Sequence, residues 1–109
     1  MSSNPTDSGV RGTIDPIGDD IIFREFRLRG WNIDACKPFN QAQSDAHHPI
    51  RIVVDHDGKK YVLQGNHRVA GAQEDGLRSI DGILYTPKQW EDFTGLSFIP
   101  GGTNNPIIE

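Results

Sequence analysis

Between residues 61 and 77 the chain reads YVLQGNHRVAGAQEDGL. An apolar run stops at Gly65, three polar residues follow (Asn66, His67 and Arg68), and the sequence resumes with small and apolar side chains at helical spacing. That corner has the makings of an anion site. The first N–H groups of a helix point outward with the positive end of the helix dipole behind them, an arrangement that suits phosphate. Arg68 can add paired donors to phosphate oxygens. His67 can donate one hydrogen bond, or act as acid or base near neutral pH. Asn66 is a favourable helix N-cap and can also orient a ligand, while Gly65 permits an approach to the backbone that a side chain would obstruct. Two potential cations at a helix N-terminus oppose the dipole, and a bound anion removes that conflict. The same residues also have a purely structural use, with Asn66 as an ordinary cap and Arg68 solvated or paired with Glu74 or Asp75.

The elements around the corner are legible. IRIVVD, residues 50–55, is short, β-branched and bounded by Pro49 and by His56-Asp57-Gly58, which reads as a strand followed by a tight hairpin turn. Tyr61 to Gln64 is the returning strand. A helix is expected from His67 to Asp75, with Val69, Ala70, Ala72 and Gln73 as a narrow face that packs closely on the sheet and Gly76 at its C-terminal end. IDGILY (80–85) reads as another strand, and TPKQWEDFTG as a helix with Thr86 as N-cap, Pro87 at its first position and Gly95 at its end. Trp90 and Phe93 on that helix are expected in the core. Upstream, IIFREFRL (21–28) reads as a strand, and CKPFNQAQSDAHHP as a loop containing a short helix. Residues 1–13 are polar and turn-rich and read as a leader or linker, leaving one domain over 14–109. The class expected is α/β (α+β): a small mixed sheet whose β-hairpin leads into a helix at a phosphate-binding corner.

Composition narrows the function classes. The 109 residues are 35% hydrophobic and 24% charged with a formal net charge of −4, which argues against coating nucleic acid by bulk electrostatics. Contact with a phosphate backbone would need a focused groove, for which Arg24, Arg27 and Arg29, with Phe26 and Trp31 as stacking surfaces, are candidates. An amphipathic edge strand explains the same stretch. No apolar run is long enough for membrane insertion, and the first residues carry no secretory signal, a pattern equally compatible with delivery inside a longer chain. The single cysteine, Cys36, suggests a reducing compartment and a buried, inert thiol. His47, His48, Asp55, His56 and Asp57 meet no metal-ligand spacing, so the metal expected is at most Mg²⁺ carried in by phosphates. Asp45 and Glu25 are candidate general bases, or else solvated carboxylates.

The stretch HPIRIVVDHDGKKYVLQGNHRVAGAQEDGL, residues 48–77, resembles the core of the ParB/sulfiredoxin superfamily: a Pro-led strand, an Asp-Gly hairpin, a second strand, then Gly-x-x-Arg opening an alanine-rich helix. The corner is similar to the Gly-Cys-His-Arg of sulfiredoxins, except that Asn66 stands where they carry the nucleophilic cysteine, so sulfinic acid repair is not implied. It shares only Gly65 and Arg68 with the Gly-Glu-Arg-Arg of ParB partition proteins, and their helix-turn-helix is absent. It looks most like the ParB-like domains with Gly-Asn-His-Arg found as C-terminal modules of polymorphic toxins and described as nucleases. That resemblance implies a hydrolase cleaving DNA or RNA in the cytoplasm of a target or host cell, delivered as part of a larger secreted protein and restrained by an immunity protein. In it His67 acts as acid/base or phosphate ligand, Arg68 as phosphate clamp and Asn66 as orienting group. A nucleotide-dependent phosphotransferase and a non-catalytic nucleotide-binding module are the alternatives.

Overall fold

In the RIVV run, alternate side chains face opposite sides of a sheet, and both sides are covered. The computed structural model describes residues 8–23 and 30–98, and within them this run is β3 (Arg51–Val54), with Ile52 and Val53 both fully buried. The Asp-Gly turn does what its chemistry predicts: Gly58 takes a φ of 86°, the Asp57 side chain accepts from Lys59 N–H at 3.1 Å, and the chain returns antiparallel as β4 (Lys60–Gln64). α3 (Asn66–Glu74) then crosses over and delivers β5 (Ile80–Tyr85) parallel to β3 on its other side. β2 (Ile21–Phe23) adds in parallel beside β4. β1 (Val10–Ile14) adds antiparallel beside β5, giving the five-stranded mixed order β1-β5-β3-β4-β2. An α+β domain was expected, and this is one.

β1 corrects the leader assignment. The sheet starts at Val10, inside the segment read as linker, because an edge strand with one buried residue, Ile14, has no apolar alternation to reveal it. The pairing partner, not the local sequence, makes it a strand. Three short helices complete the described chain: α1 (Gly30–Ala35), which the sequence did not announce, α2 (Gln41–His47), the expected short helix in the loop, and α4 (Pro87–Thr94). α4 has the anticipated ends, a capping box between Thr86 and Gln89 and Gly95 in the left-handed region at φ 73°. No helix among the described residues is long and apolar enough to cross a membrane.

The sheet separates two apolar layers. On one face Ile14, Ile50, Ile52, Val62 and Ile80 meet Val69 and Ala72 of α3. On the other, Val53, Tyr61, Leu63 and Tyr85 meet Trp90 of α4 and Phe98, with the Tyr85 and Trp90 rings edge to face at 5.3 Å. Trp90 is core as expected, while Phe93 is partly buried and stacks on Tyr85.

The turn after β1 carries a pH-sensitive tie. Asp15 accepts from Arg78 at 2.9 Å and from the N–H groups of Ile17 and Gly18, and the guanidinium holds its carboxyl well below the usual carboxylate range. A depressed folded-state pKa contributes stability that is whole above the unfolded value, about 4, and is lost as pH falls through the folded one. Thermal melts of Asp15→Asn are therefore expected to show a shallower loss of stability than the native protein below about pH 4. Identical acid limbs would remove Asp15 from the account.

Candidate functional site

The corner is built by one glycine. Gly65 leaves β4 with φ 91° and ψ 27°, a left-handed conformation, and so turns the strand directly into α3. A Cβ here would lie 2.9 Å from Ile50 Cγ1 and 3.0 Å from Arg68 Nη2, so the position is closed to side chains by backbone and neighbours alike. Gly65 is therefore the N-cap, and Asn66, expected in that role, is the first residue of the helix instead. Its side chain is 4% exposed, which makes it a buried group of the first turn rather than a surface cap. His67 follows at the second helical position, half-buried.

Arg68 is the residue whose setting the sequence could not foretell. Its Nη1 donates to Ser44 Oγ at 2.6 Å, to the Ser44 carbonyl at 3.1 Å and to the His48 carbonyl. It thus binds the C-terminal part of α2 to the start of α3. The alternative ion-pair partners are engaged elsewhere: Glu74 takes Lys37 at 2.6 Å, and Asp75 accepts from the Phe39 N–H at 3.3 Å. Arg68 also forms part of the wall of a cleft of about 440 Å³, lined by Cys36, Lys37, Asn40, Gln43 and Ser44 among others. Of the four corner residues, Arg68 alone reaches that lining.

No family model matches this chain, and no curated protein does.

α1 approaches α3 closely beside the cleft residues Cys36 and Lys37. At Gly71 a Cβ would already stand 3.4 Å from both Cys36 Cβ and the Ile33 carbonyl oxygen. Of the face expected to lie on the sheet, Val69 and Ala72 do so and Gln73 donates to the Pro16 carbonyl at 2.9 Å, while Gly71, outside that face, lies under α1. Lys37 is held cationic by Glu74 and then Asp34. Burial pushes the Cys36 thiol up despite the opposing charge of Arg68, so the protonated thiol dominates at neutral pH and nucleophilic use is disfavoured.

Behind the corner, on the opposite face of the sheet, Arg51 Nε donates to Gln64 Oε1 at 3.1 Å while its Nη1 donates to the Tyr85 hydroxyl, and its guanidinium lies 5.1 Å from the centre of the Phe93 ring. Gln64, 3% exposed, is the residue that hands the chain to Gly65, so this network fixes the end of β4 from which the corner springs.

The other candidates separate. Asp45 is bound to Arg11 at 2.6 Å and to Gln41 at 3.0 Å, and chiefly the guanidinium keeps its carboxyl below its ordinary range, which suits a structural carboxylate better than a general base near neutrality. Glu25, Arg24, Phe26, Arg27 and Arg29 lie outside the described residues, as does the side chain of Trp31. Asp55 and Asp57 accept N–H groups of the hairpin turn beside an exposed His56. Among the described residues no three His, Cys, Asp or Glu side chains converge as a metal site. A Mg²⁺ carried on phosphates would draw its ligands from the substrate and water, with no protein cage.

Lys37 and Ser44 as cleft residues escaped the sequence reading. A signal was present: Asn40 caps α2 by accepting from Gln43 N–H at 3.0 Å, an Asn-x-x-Gln pattern that marks the start of the helix carrying Ser44.

Proposed function

We propose that this domain binds a phosphate ester at the Gly65–Arg68 corner and hydrolyses phosphodiesters of DNA or RNA there, as the toxin module of a larger protein. The observation that carries this reading is the left-handed Gly65 at the N-cap, which opens α3 with no cap side chain over its first turn and places His67 and Arg68 in that turn. Helix dipole and guanidinium then attract the same anion, and His67 is the proton-transfer group nearest to it in sequence. In hydrolysis the imidazole takes a proton from water as that water attacks phosphorus and the bond from phosphorus to the leaving sugar oxygen breaks; Arg68 stabilises charge on the phosphoryl oxygens, and the departing alkoxide is protonated by the imidazolium or by water. Nη1 is held by α2, which fixes the guanidinium in place until an anion competes for it.

The test is cleavage of DNA and RNA by the purified domain, paired with expression in bacteria scored for growth. His67→Ala is expected to lower cleavage at least about 100-fold, the low end for removing a general acid or base. Its melting temperature should stay near the native value because the side chain is only half-buried. Full activity in that variant would sink the assignment.

The cleft favours a second reading. At about 440 Å³, with Lys37 and Arg68 in its lining, it has the size of a small-ligand pocket and suits a nucleotide. Calorimetry with ATP, ADP and CTP separates the two: binding with turnover supports a phosphotransferase, binding without turnover a nucleotide-binding module, and cleavage of nucleic acid without nucleotide binding the nuclease.

A further inference from the structure

α2 differs from every other well-packed element in what holds it. Ala42, Gln43 and Ala46 are exposed, and its one buried described side chain is Ser44, so none of its described side chains is a buried hydrophobe. Its attachments are polar. Gln41 brackets the backbone of Asp81 in β5, accepting from the N–H at 2.8 Å and donating to the carbonyl at 3.2 Å. Asp45 pairs with Arg11 of β1 at 2.6 Å, and that same guanidinium reaches Asp81 at 3.3 Å. Ser44 and the His48 carbonyl are held by Arg68. Apolar anchoring resumes on either side of the helix, at Phe39, packed on the first core, and at Ile50, fully buried.

We infer that α2 is a lid over the cleft, latched by Arg11 and Arg68 and opening as a unit between the anchors Phe39 and Ile50. Asn40, Gln43 and Ser44 line the cleft, so displacement of the helix opens that wall. An apolar interface keeps its strength as salt rises, whereas a partly exposed ion pair loses it to screening. Arg68 is both latch and cleft wall, so an anion entering the cleft competes for the same guanidinium and favours the open lid. The lid rests on contacts within the chain, whatever reaction the corner performs.

Amide hydrogen exchange on the whole chain tests this. The amides of Ser44 and His48, bonded within α2 to the carbonyls of Asn40 and Ser44, are expected to exchange faster than those of β3 and β4. Sodium chloride should accelerate them, and inorganic phosphate at equal ionic strength should accelerate them further, with the strands unaffected. Arg11→Gln, at a half-exposed side chain remote from the corner, should speed exchange in α2 by about two- to fivefold at low salt, the effect of losing one partly exposed ion pair. Protection of α2 equal to that of β3 and β4, in the native protein at high salt and in Arg11→Gln, would overturn the lid. Equal effects of phosphate and chloride would overturn its coupling to the cleft. A protein that cleaves no nucleic acid yet opens α2 separately would lose the nuclease reading and keep the lid.

Discussion

Arg68→Ala is expected to lower the melting temperature by roughly 10–20 °C, besides removing any phosphate binding. The guanidinium donates to a hydroxyl and two carbonyls at the α2–α3 junction, and Ser44 is 5% exposed, so truncation leaves buried acceptors without their charged donor. Hydrogen bonds to charged groups are worth about 1.5–3 kcal/mol each. Three acceptors sharing one nitrogen do not add, and a total of about 2–3 kcal/mol corresponds to that shift in a domain of this size. Arg68→Lys should recover less than half, because the lysine side chain ends one bond short of Nη1 and its ammonium is more strongly hydrated. Circular dichroism melts of the three proteins decide the matter. An alanine variant melting within a few degrees of the native protein would show that the junction draws no net stability from Arg68. Loss of cleavage in Arg68→Ala must accordingly be read beside its melting curve, whereas loss in His67→Ala is free of that complication.

Gly65→Ala should cost about 2–5 kcal/mol, and a second glycine supplies the control that identifies why. Gly65 and Gly58 have nearly the same φ, 91° and 86°, so alanine suffers similar left-handed strain at either, about 1–2 kcal/mol. They differ in surroundings. At Gly58 nothing lies within 4 Å of an added Cβ, whereas at Gly65 the fully buried Ile50 and the guanidinium of Arg68 are both too close. Forcing a methyl group into packed surroundings costs about 1–3 kcal/mol more. Urea unfolding of both variants is expected to show Gly65→Ala the more destabilised by at least about 1 kcal/mol. Equal losses would mean that the corner can yield to admit the methyl group, and that the close approach does not position Arg68.

Both substitutions turn on how far the corner reaches across the chain. The turn into α3 was readable because Gly-Asn-His-Arg follows an apolar strand, and glycine tolerates the backbone conformation that such a turn takes. Which residue caps the helix was read one position late. Asn is a strong N-cap by side-chain chemistry, but here the left-handed glycine takes the cap and Asn66 is drawn inside the first turn. The pairing of β1 was illegible for a different reason, since Arg11 and its neighbour Asp81 stand 70 residues apart and an exposed edge strand carries no period of its own.

What the sequence by itself determined is local. The Asp57-Gly58 hairpin, the two strands it joins, the approximate span of α3 and both caps of α4 follow from turn chemistry, side-chain period and capping, all of which act over a few residues. What the tertiary structure alone decided is where the charges of the site are directed. Arg68 meets Ser44 and His48 across separations of 24 and 20 residues, and Lys37 meets Glu74 across 37. A long cationic side chain is compatible with many partners, and nothing within one turn of helix selects among them. Only the folded sheet, by placing α2 beside the start of α3, makes Arg68 a strut between the two helices.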